Sequence, residues 1–250
     1  MQSAAEALPE TVEAEANPSI NILVCTPVYG DSVKRGYAHS VAQAMAFFAQ
    51  AKSDVEKHID ITMVYSSLLV ENRHMLVSRA FQFEATHMLF WDSDIKAPPD
   101  CIVKLVNHHL PIVAINYAKK EPEARPTAFI DTDDYIGPCY TQKQHTGLQA
   151  VSSCGFGLML IRMDVLQTMK TPLFQFTQEG PEGIKTGGED VFFCRKAREA
   201  GYDIVIDHDL SKRCAHLGDW EYTVDMSDIA QAAKQQIYRG MPTSNPDVPL

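Results

Sequence analysis

Two carboxylates one residue apart, Asp92 and Asp94, close the apolar run His87–Trp91 in the stretch "HMLFWDSDIKAPPD". If the strand stays extended through Asp94, residues i and i+2 share one side, and both carboxylates face a single ligand. Hard oxygens grouped in this way suit Mg2+ or Mn2+, ions that commonly bridge to the phosphates of a substrate. The ordinary alternative is a solvated turn at a strand end, where Asp is frequent ahead of proline. Asp131/Asp133 and Asp207/Asp209 repeat the same spacing and compete for the assignment.

Three further residue groups have chemical potential. In "TGGEDVFFCRKAREAG", Glu189 and Asp190 open a helix that Gly201 ends. Adjacent glycines let a backbone move or be closely approached, as a substrate site requires. Acidic residues at a helix N-terminus also serve simply to match the macrodipole, so general-base use and capping both stand. His216 follows a strand-like segment in "KRCAHLGDW"; with carboxylates and phosphate oxygens, its imidazole would complete an acceptable Mn2+ shell. A surface or core histidine is the alternative. Arg73 falls in the first turn of an expected helix, where a cation is disfavoured unless an anion such as phosphate lies nearby. Solvent exposure is the alternative there.

Positioning these residues requires alternating elements. "INILVCTPVYG", "HIDITMVYS", "HMLFWDSD" and "PIVAINYA" read as buried strands. Helical periodicity covers Val33 to Ala51, Asn72 to Ala85 and Asp100 to His109. "SSCGFGLMLIR", a short helix at Asp164 to Met169, a helix from Glu189 to Ala200 and "YDIVIDHDLSKRCAHLG" complete the core. The alternation predicts one α/β domain, with a mostly parallel sheet flanked by helices on both faces. It spans 20–240, between an acidic tail over 1–19 and a proline-rich tail over 241–250, both expected to lack structure.

Composition narrows the function classes. Of the 250 residues, 45% are hydrophobic and 22% charged, as in a globular domain. The net charge of -10 and the absence of a Lys/Arg cluster argue against nucleic acid as a partner. No apolar run reaches the roughly 20 residues of a membrane span, and the N-terminus lacks signal-peptide character. Six dispersed cysteines without a CxxC pair fit reduced thiols. The expectation is a cytoplasmic protein that meets any lipid-linked acceptor only at a membrane surface.

The order of the motifs resembles that of GT-A fold glycosyltransferases, in the style of family 2 enzymes and their relatives. The likeness runs from "TPVYG" through Asn72-Arg73, "LFWDSDI", "SSCGFGLMLIR" and "GGEDVFFCRKAREAG" to His216, roughly residues 20 to 220. It implies a single GT-A domain with a Rossmann-like sheet and transfer of a sugar from a UDP- or GDP-sugar to a hydroxyl of a glycan or other acceptor. The implied donor contacts are Thr26, Pro27, Val28, Tyr29, Arg73, Asp92, Ser93 and the loop Gly155, Phe156 and Gly157. The implied metal ligands, for Mn2+ or Mg2+, are Asp92, Asp94 and His216. Asp190 maps onto the catalytic base, with Glu189 as fallback, and an inverting displacement is expected, with a retaining course as the alternative. The order also disfavours Asp207/Asp209, because that pair follows the glycine loop. This chain departs from the pattern where "MVYSSLLVEN" has no base-reading Asp after the second strand, and where the usual Arg-Asn pair is reversed.

Rival functions are a sugar-1-phosphate nucleotidyltransferase, which should carry a glycine-rich phosphate loop after the first strand, and a non-catalytic nucleotide-sugar-binding protein. A Rossmann oxidoreductase is excluded by the absence of GxGxxG. Two segments, "TQEGPEGIKTGG" and "LGDWEY", are expected to close over the donor.

Overall fold

The computed structural model describes residues 19–131, 136–179 and 185–240. The expected tail over 241–250, most of the expected acidic tail and the centre of "TQEGPEGIKTGG" lie outside these residues. Ser19, assigned to that acidic tail from sequence, already belongs to the first strand.

The chain opens with β1 (Ser19–Val28), α1 (Arg35–Gln50), β2 (Glu56–Tyr65), α2 (Leu69–Gln82), β3 (His87–Trp91), β4 (Ile95–Lys96), α3 (Cys101–Asn107) and β5 (Ile112–Ala114). Short strands follow, β6 (Phe129–Asp131), β7 (Ile136–Pro138) and β8 (Leu148–Val151), then β9 (Leu158–Arg162) and α4 (Met163–Thr168). The last part holds β10 (Thr177–Glu179), β11 (Lys185–Gly187), α5 (Glu189–Glu199), β12 (Ile204–Asp207), α6 (His208–Ser211), β13 (Ala215–Leu217), β14 (Glu221–Tyr222) and α7 (Val224–Gly240).

The central sheet has seven strands in the order β2-β1-β3-β9-β5-β12-β8. β1 is parallel to β2 and β3, β12 is parallel to β5, and β9 runs antiparallel to both β3 and β5. β8 is antiparallel to β12, so five strands share a direction and only β8 and β9 oppose it. This is the mostly parallel α/β sheet expected from the alternating elements.

Strand alternation feeds two cores. Leu23, Cys25, Met88, Phe90, Ile112, Ala114, Met159 and Ile161 point to the face covered by α2, α4 and α5. Ile22, Val24, Leu89, Trp91, Val113, Ile115, Leu158 and Leu160 point to the face covered by α1 and α3. Burial on both faces explains why these strands read as continuous apolar runs. α5 carries Glu189 and Asp190 in its first turn and Lys196 and Arg198 in its last, charges that match its dipole at both ends. Gly201, at φ +89, then turns the chain away.

Four aromatic rings gather under the α2/α5 face. Phe156 lies edge-on to Phe90 at 4.8 Å and to Phe193 at 5.2 Å, and Phe174 stacks on Phe193 at 5.4 Å. Phe174 is 1% exposed, and deleting a buried phenyl removes both its transfer free energy and its packing contacts. Phe174→Ala is therefore expected to destabilise the fold by about 3–5 kcal/mol, measured as a lowered urea midpoint.

Candidate functional site

A cleft of about 270 Å3 opens at the carboxyl ends of β1, β2 and β3, the place where open α/β sheets bind ligands. Pro27, Val28 and Tyr29 line it from the end of β1, and Ser66 and Ser67 from the end of β2. α2 contributes Asn72 and Arg73, the turn after β3 contributes Asp92, Ser93 and Asp94, and Tyr117 and His216 complete the wall. Thr26, expected among the donor contacts, is instead fully buried, and its hydroxyl shares a 2.5 Å hydrogen bond with that of Tyr37.

The extended geometry assumed for Asp92 and Asp94 does not persist. β3 ends at Trp91, and Asp92 to Asp94 form a turn closed by the Ile95 amide donating to the Asp92 carbonyl. The Trp91 indole N–H donates to the Ile95 carbonyl at 2.9 Å and locks that turn from below. A turn breaks the i, i+2 alternation, so the two carboxylates part.

Asp92 meets Arg73, whose Nη1 lies 3.1 Å from Asp92 Oδ1, while Arg73 Nε lies 3.6 Å from Glu189 Oε1. α2 begins at Leu69, so Arg73 sits beyond the first turn rather than in it, and at 3% exposure it is buried rather than solvated. Its guanidinium is sandwiched by Phe90 and Phe156, 4.9 and 4.8 Å from the ring centres. Burial alone would lower the Arg73 pKa; Asp92 and Glu189 outweigh it and hold the group firmly charged. These are ion pairs without well-directed hydrogen bonds, for Arg73 Nε and Nη1, Asp92 Oδ1 and the neighbouring Asn72 Oδ1 are buried with no hydrogen-bond partner. Orphaned polar atoms at a cleft floor are what a polar ligand satisfies.

Asp94 turns the other way. The short strand β4 pairs antiparallel with β13, placing His216 opposite Ile95, and the Leu217 amide donates to the Asp94 carbonyl at 2.7 Å. His216 Nδ1 donates to the Ala118 carbonyl at 3.0 Å, which directs Nε2 at Asp94 Oδ2, 3.4 Å away. The Lys120 ammonium contacts the same carboxylate oxygen. Burial would raise the Asp94 pKa, but His216 and Lys120 more than offset it and hold the carboxyl below its usual range.

The Asp94–His216 pair passes a first test as a cation site. Two neighbouring ligands at about 2.1 Å from one ion lie roughly 3 Å apart, close to the 3.4 Å observed here. The Nδ1 anchor is the outer hydrogen bond that a ligating imidazole needs. Asp92, expected as a third ligand, is committed to Arg73. Among the described residues no three His, Cys, Asp or Glu side chains converge as a preformed metal site.

Arg73 links the cleft to Glu189 at the start of α5; Asp190, next to it, is partly exposed, and neither carboxylate is part of the cleft lining. Burial raises both carboxyl pKa values; Arg73 opposes this in each case, and in Asp190 the Val191 amide, 2.8 Å from Oδ1, does so as well. The residue before them is Gly188, where a Cβ would lie 2.4 Å from Asp190 Oδ1 and would push that carboxylate aside.

Gly155, Phe156 and Gly157 act from beneath the cleft. A Cβ on Gly155 would lie 2.4 Å from the Tyr117 hydroxyl, and one on Gly157 2.5 Å from its ring. The loop is glycine-rich so that Tyr117 can lie flat on it, and Phe156, 1% exposed, supports Arg73 instead of touching a donor. Burial, with Asp92 and Asp190 nearby, keeps the Tyr117 phenol neutral.

The competing pair is structural: Asp207 caps α6 through the Leu210 amide and pairs with His108 at 2.9 Å, and Asp209 accepts from the Gly147 amide. Asp133 lies outside the described residues. The "LGDWEY" segment is a β13/β14 hairpin, tied by the Lys96–Glu221 ion pair at 2.9 Å and by Trp220 Nε1 donating to the Tyr222 hydroxyl. Sequence reasoning missed Lys120 and Tyr117. Both fall where the apolar pattern of β5 gives way to irregular chain, and no local signal marks them.

No protein-family model matches the chain, and no curated protein does. Solved structures do. A197 from STIV aligns with a TM-score of 0.53 at 16% identity, over 83% of this chain and 91% of that one, which establishes a shared fold. The nucleoside-diphosphate-sugar pyrophosphorylase from Vibrio cholerae RC9 aligns with a TM-score of 0.42 at 10% identity, over 83% and 99% of the two chains. A CMP:2-keto-3-deoxy-manno-octonic acid synthetase complexed with CTP gives 0.44 at 15% identity, over 87% and 99%.

Removing Arg73 leaves the buried Glu189 and the half-buried Asp92 without their shared cation. Arg73→Met is expected to cost about 3–5 kcal/mol of stability in denaturant titrations. Glu189, already raised by burial, should then titrate at higher pH still, an effect readable by carbon-detected NMR of its carboxyl.

Proposed function

We propose that this chain is a glycosyltransferase that takes a nucleotide-diphosphate sugar as donor and a hydroxyl of a glycan or similar molecule as acceptor. The observation that carries the reading is the gathering of Asp92, Asp94 and His216 on one cleft at the parallel strand ends, with Arg73 joining that cleft to Glu189, next to Asp190, at the start of α5. These residues come from four separate segments, and Arg73, which lines the cleft, keeps Nε and Nη1 without a hydrogen-bond partner.

In this reading the nucleoside rests against Pro27, Val28 and Tyr29, and the diphosphate reaches toward Ser93 and Asp94. Mn2+ or Mg2+, held by Asp94 and His216, would supply Lewis-acid stabilisation of the leaving nucleotide diphosphate. Asp190 takes the proton of the acceptor hydroxyl as its oxygen attacks the anomeric carbon from the face opposite the departing phosphate oxygen. A carbon–oxygen bond forms, the old one breaks with its electron pair on the diphosphate, and the configuration inverts. Burial prepares Asp190 for this, since a carboxyl pushed above its usual range is a stronger base.

A second reading, sugar-1-phosphate nucleotidyl transfer, is favoured by the pair of cations at the cleft, Arg73 and Lys120, which would serve a triphosphate equally well. Against it, the turn after β1 reads "YGDSVKRG" and lacks the glycine-rich phosphate loop of such enzymes.

Both readings are tested by incubating the protein with Mn2+ and either a panel of nucleotide sugars plus acceptor glycans, or nucleoside triphosphates plus sugar-1-phosphates. Release of nucleotide diphosphate supports sugar transfer, and release of pyrophosphate supports the second reading. Asp190→Asn should lower sugar transfer by about 10²–10⁴ while nucleotide-sugar binding persists. The same variant has a stability signature. Because burial lifts the Asp190 pKa above its unfolded value, ionising it costs stability as pH rises through the raised value. Asp190→Asn should therefore melt above wild type at neutral pH, the gap closing below about pH 4, where the carboxyl is protonated in both states. Transfer near the wild-type rate, or a retained product, would defeat Asp190 as base.

A further inference from the structure

We infer that Lys120 is a resident counter-ion of the cleft, which holds Asp94 while the site is empty and hands that carboxylate to a divalent cation only when an anionic diphosphate arrives to receive its ammonium. The inference rests on the nucleotide-diphosphate reading of the cleft and adds a residue and an order of binding that this reading does not contain.

Lys120 sits in the chain that follows β5, away from every motif noted in the sequence. Its ammonium contacts Asp94 Oδ2, the same oxygen that His216 Nε2 faces at 3.4 Å. The approach is built. Gly218 sits beside the lysine stem: a Cβ there would lie 2.9 Å from Tyr222 Cε2 and 3.3 Å from Lys120 Cδ. The His216 ring is fixed by Ala118 on one side and by the edge of Tyr117, with ring centres 5.2 Å apart, on the other. At 32% side-chain exposure, the lysine is free enough to move on its four-carbon stem.

A carboxylate oxygen that bonds an ammonium cannot bind a divalent ion at the same place, and the two cations repel each other. A metal arriving alone must therefore displace Lys120 into water and forfeit a charge-assisted hydrogen bond. A metal arriving with a diphosphate offers the displaced ammonium a new anionic partner a short swing away. Metal and nucleotide thus assist each other's binding, and by linkage each raises the other's affinity by the same factor.

Lys120→Met keeps the stem and removes the charge. Mn2+ affinity would be followed by the electron spin resonance signal of free Mn2+, with and without UDP or GDP, and nucleotide affinity by calorimetry at saturating Mn2+. A charged hydrogen bond of about 1.5–3 kcal/mol corresponds to at least about tenfold in affinity. Lys120→Met should bind Mn2+ in the nucleotide-free protein about tenfold more tightly than wild type, and bind nucleotide diphosphate about tenfold more weakly. The mutual enhancement between the two ligands should fall by about tenfold or more, to what direct metal–phosphate contact supplies, and Lys120→Arg should restore it in part. Unchanged or weakened Mn2+ binding by nucleotide-free Lys120→Met, or undiminished coupling, overturns the role of Lys120 while leaving the cleft reading intact. A wild-type protein that binds neither nucleotide with Mn2+ overturns both.

Discussion

The buried guanidinium of Arg73 organises this molecule. A charge at 3% exposure is tolerable only when its surroundings replace water, and here three kinds of group do so: Asp92, Glu189 and the faces of Phe90 and Phe156. They come from three parts of the chain. Asp92 follows β3, Glu189 opens α5, Phe90 lies within β3 and Phe156 within the glycine loop. The pairs are close but poorly directed, so the cation keeps unspent hydrogen-bonding capacity at the floor of the cleft. A fully satisfied network would make a better core and a poorer binding site.

A second constraint is steric. Tyr117 lies where any side chain at Gly155 or Gly157 would collide with it, and its ring edge meets His216. The glycine loop therefore shapes the cleft indirectly, through the tyrosine it accommodates. β4 and β13 add the third element. The strand β4 has only two residues, yet its pairing sets the register that brings His216 and the Leu217 amide to Asp94. The Trp91 indole, anchored in the α1/α3 core, holds the intervening turn.

These arrangements are electrostatically expensive. Glu189 and Asp190 both carry raised pKa values because burial penalises their charged forms. Groups displaced from their ordinary values and collected at a cleft are a usual mark of a functional site. The fold itself carries no such information, because sheets of this architecture host unrelated chemistries; the functional reading belongs to the side chains at the strand ends.

The sequence by itself determined the α/β class, the parallel strands and their flanking helices, because burial on both faces and helical periodicity are local signals that survive without knowledge of neighbours. It also located the carboxylates after β3, the acidic start of α5 and His216, since residue type and order along the chain are enough to nominate them. What only the tertiary structure decided is what each group touches. Asp92 and Asp94 part because a turn, held by Trp91, interrupts the extended alternation. Arg73 is buried because α2 starts at Leu69 and packs over Phe90. Thr26 turns inward to Tyr37, and Lys120, unremarkable in its irregular segment, meets Asp94 beside the β4/β13 pairing. Each of these contacts joins residues far apart in the chain, and long-range register leaves no periodic trace in a single sequence.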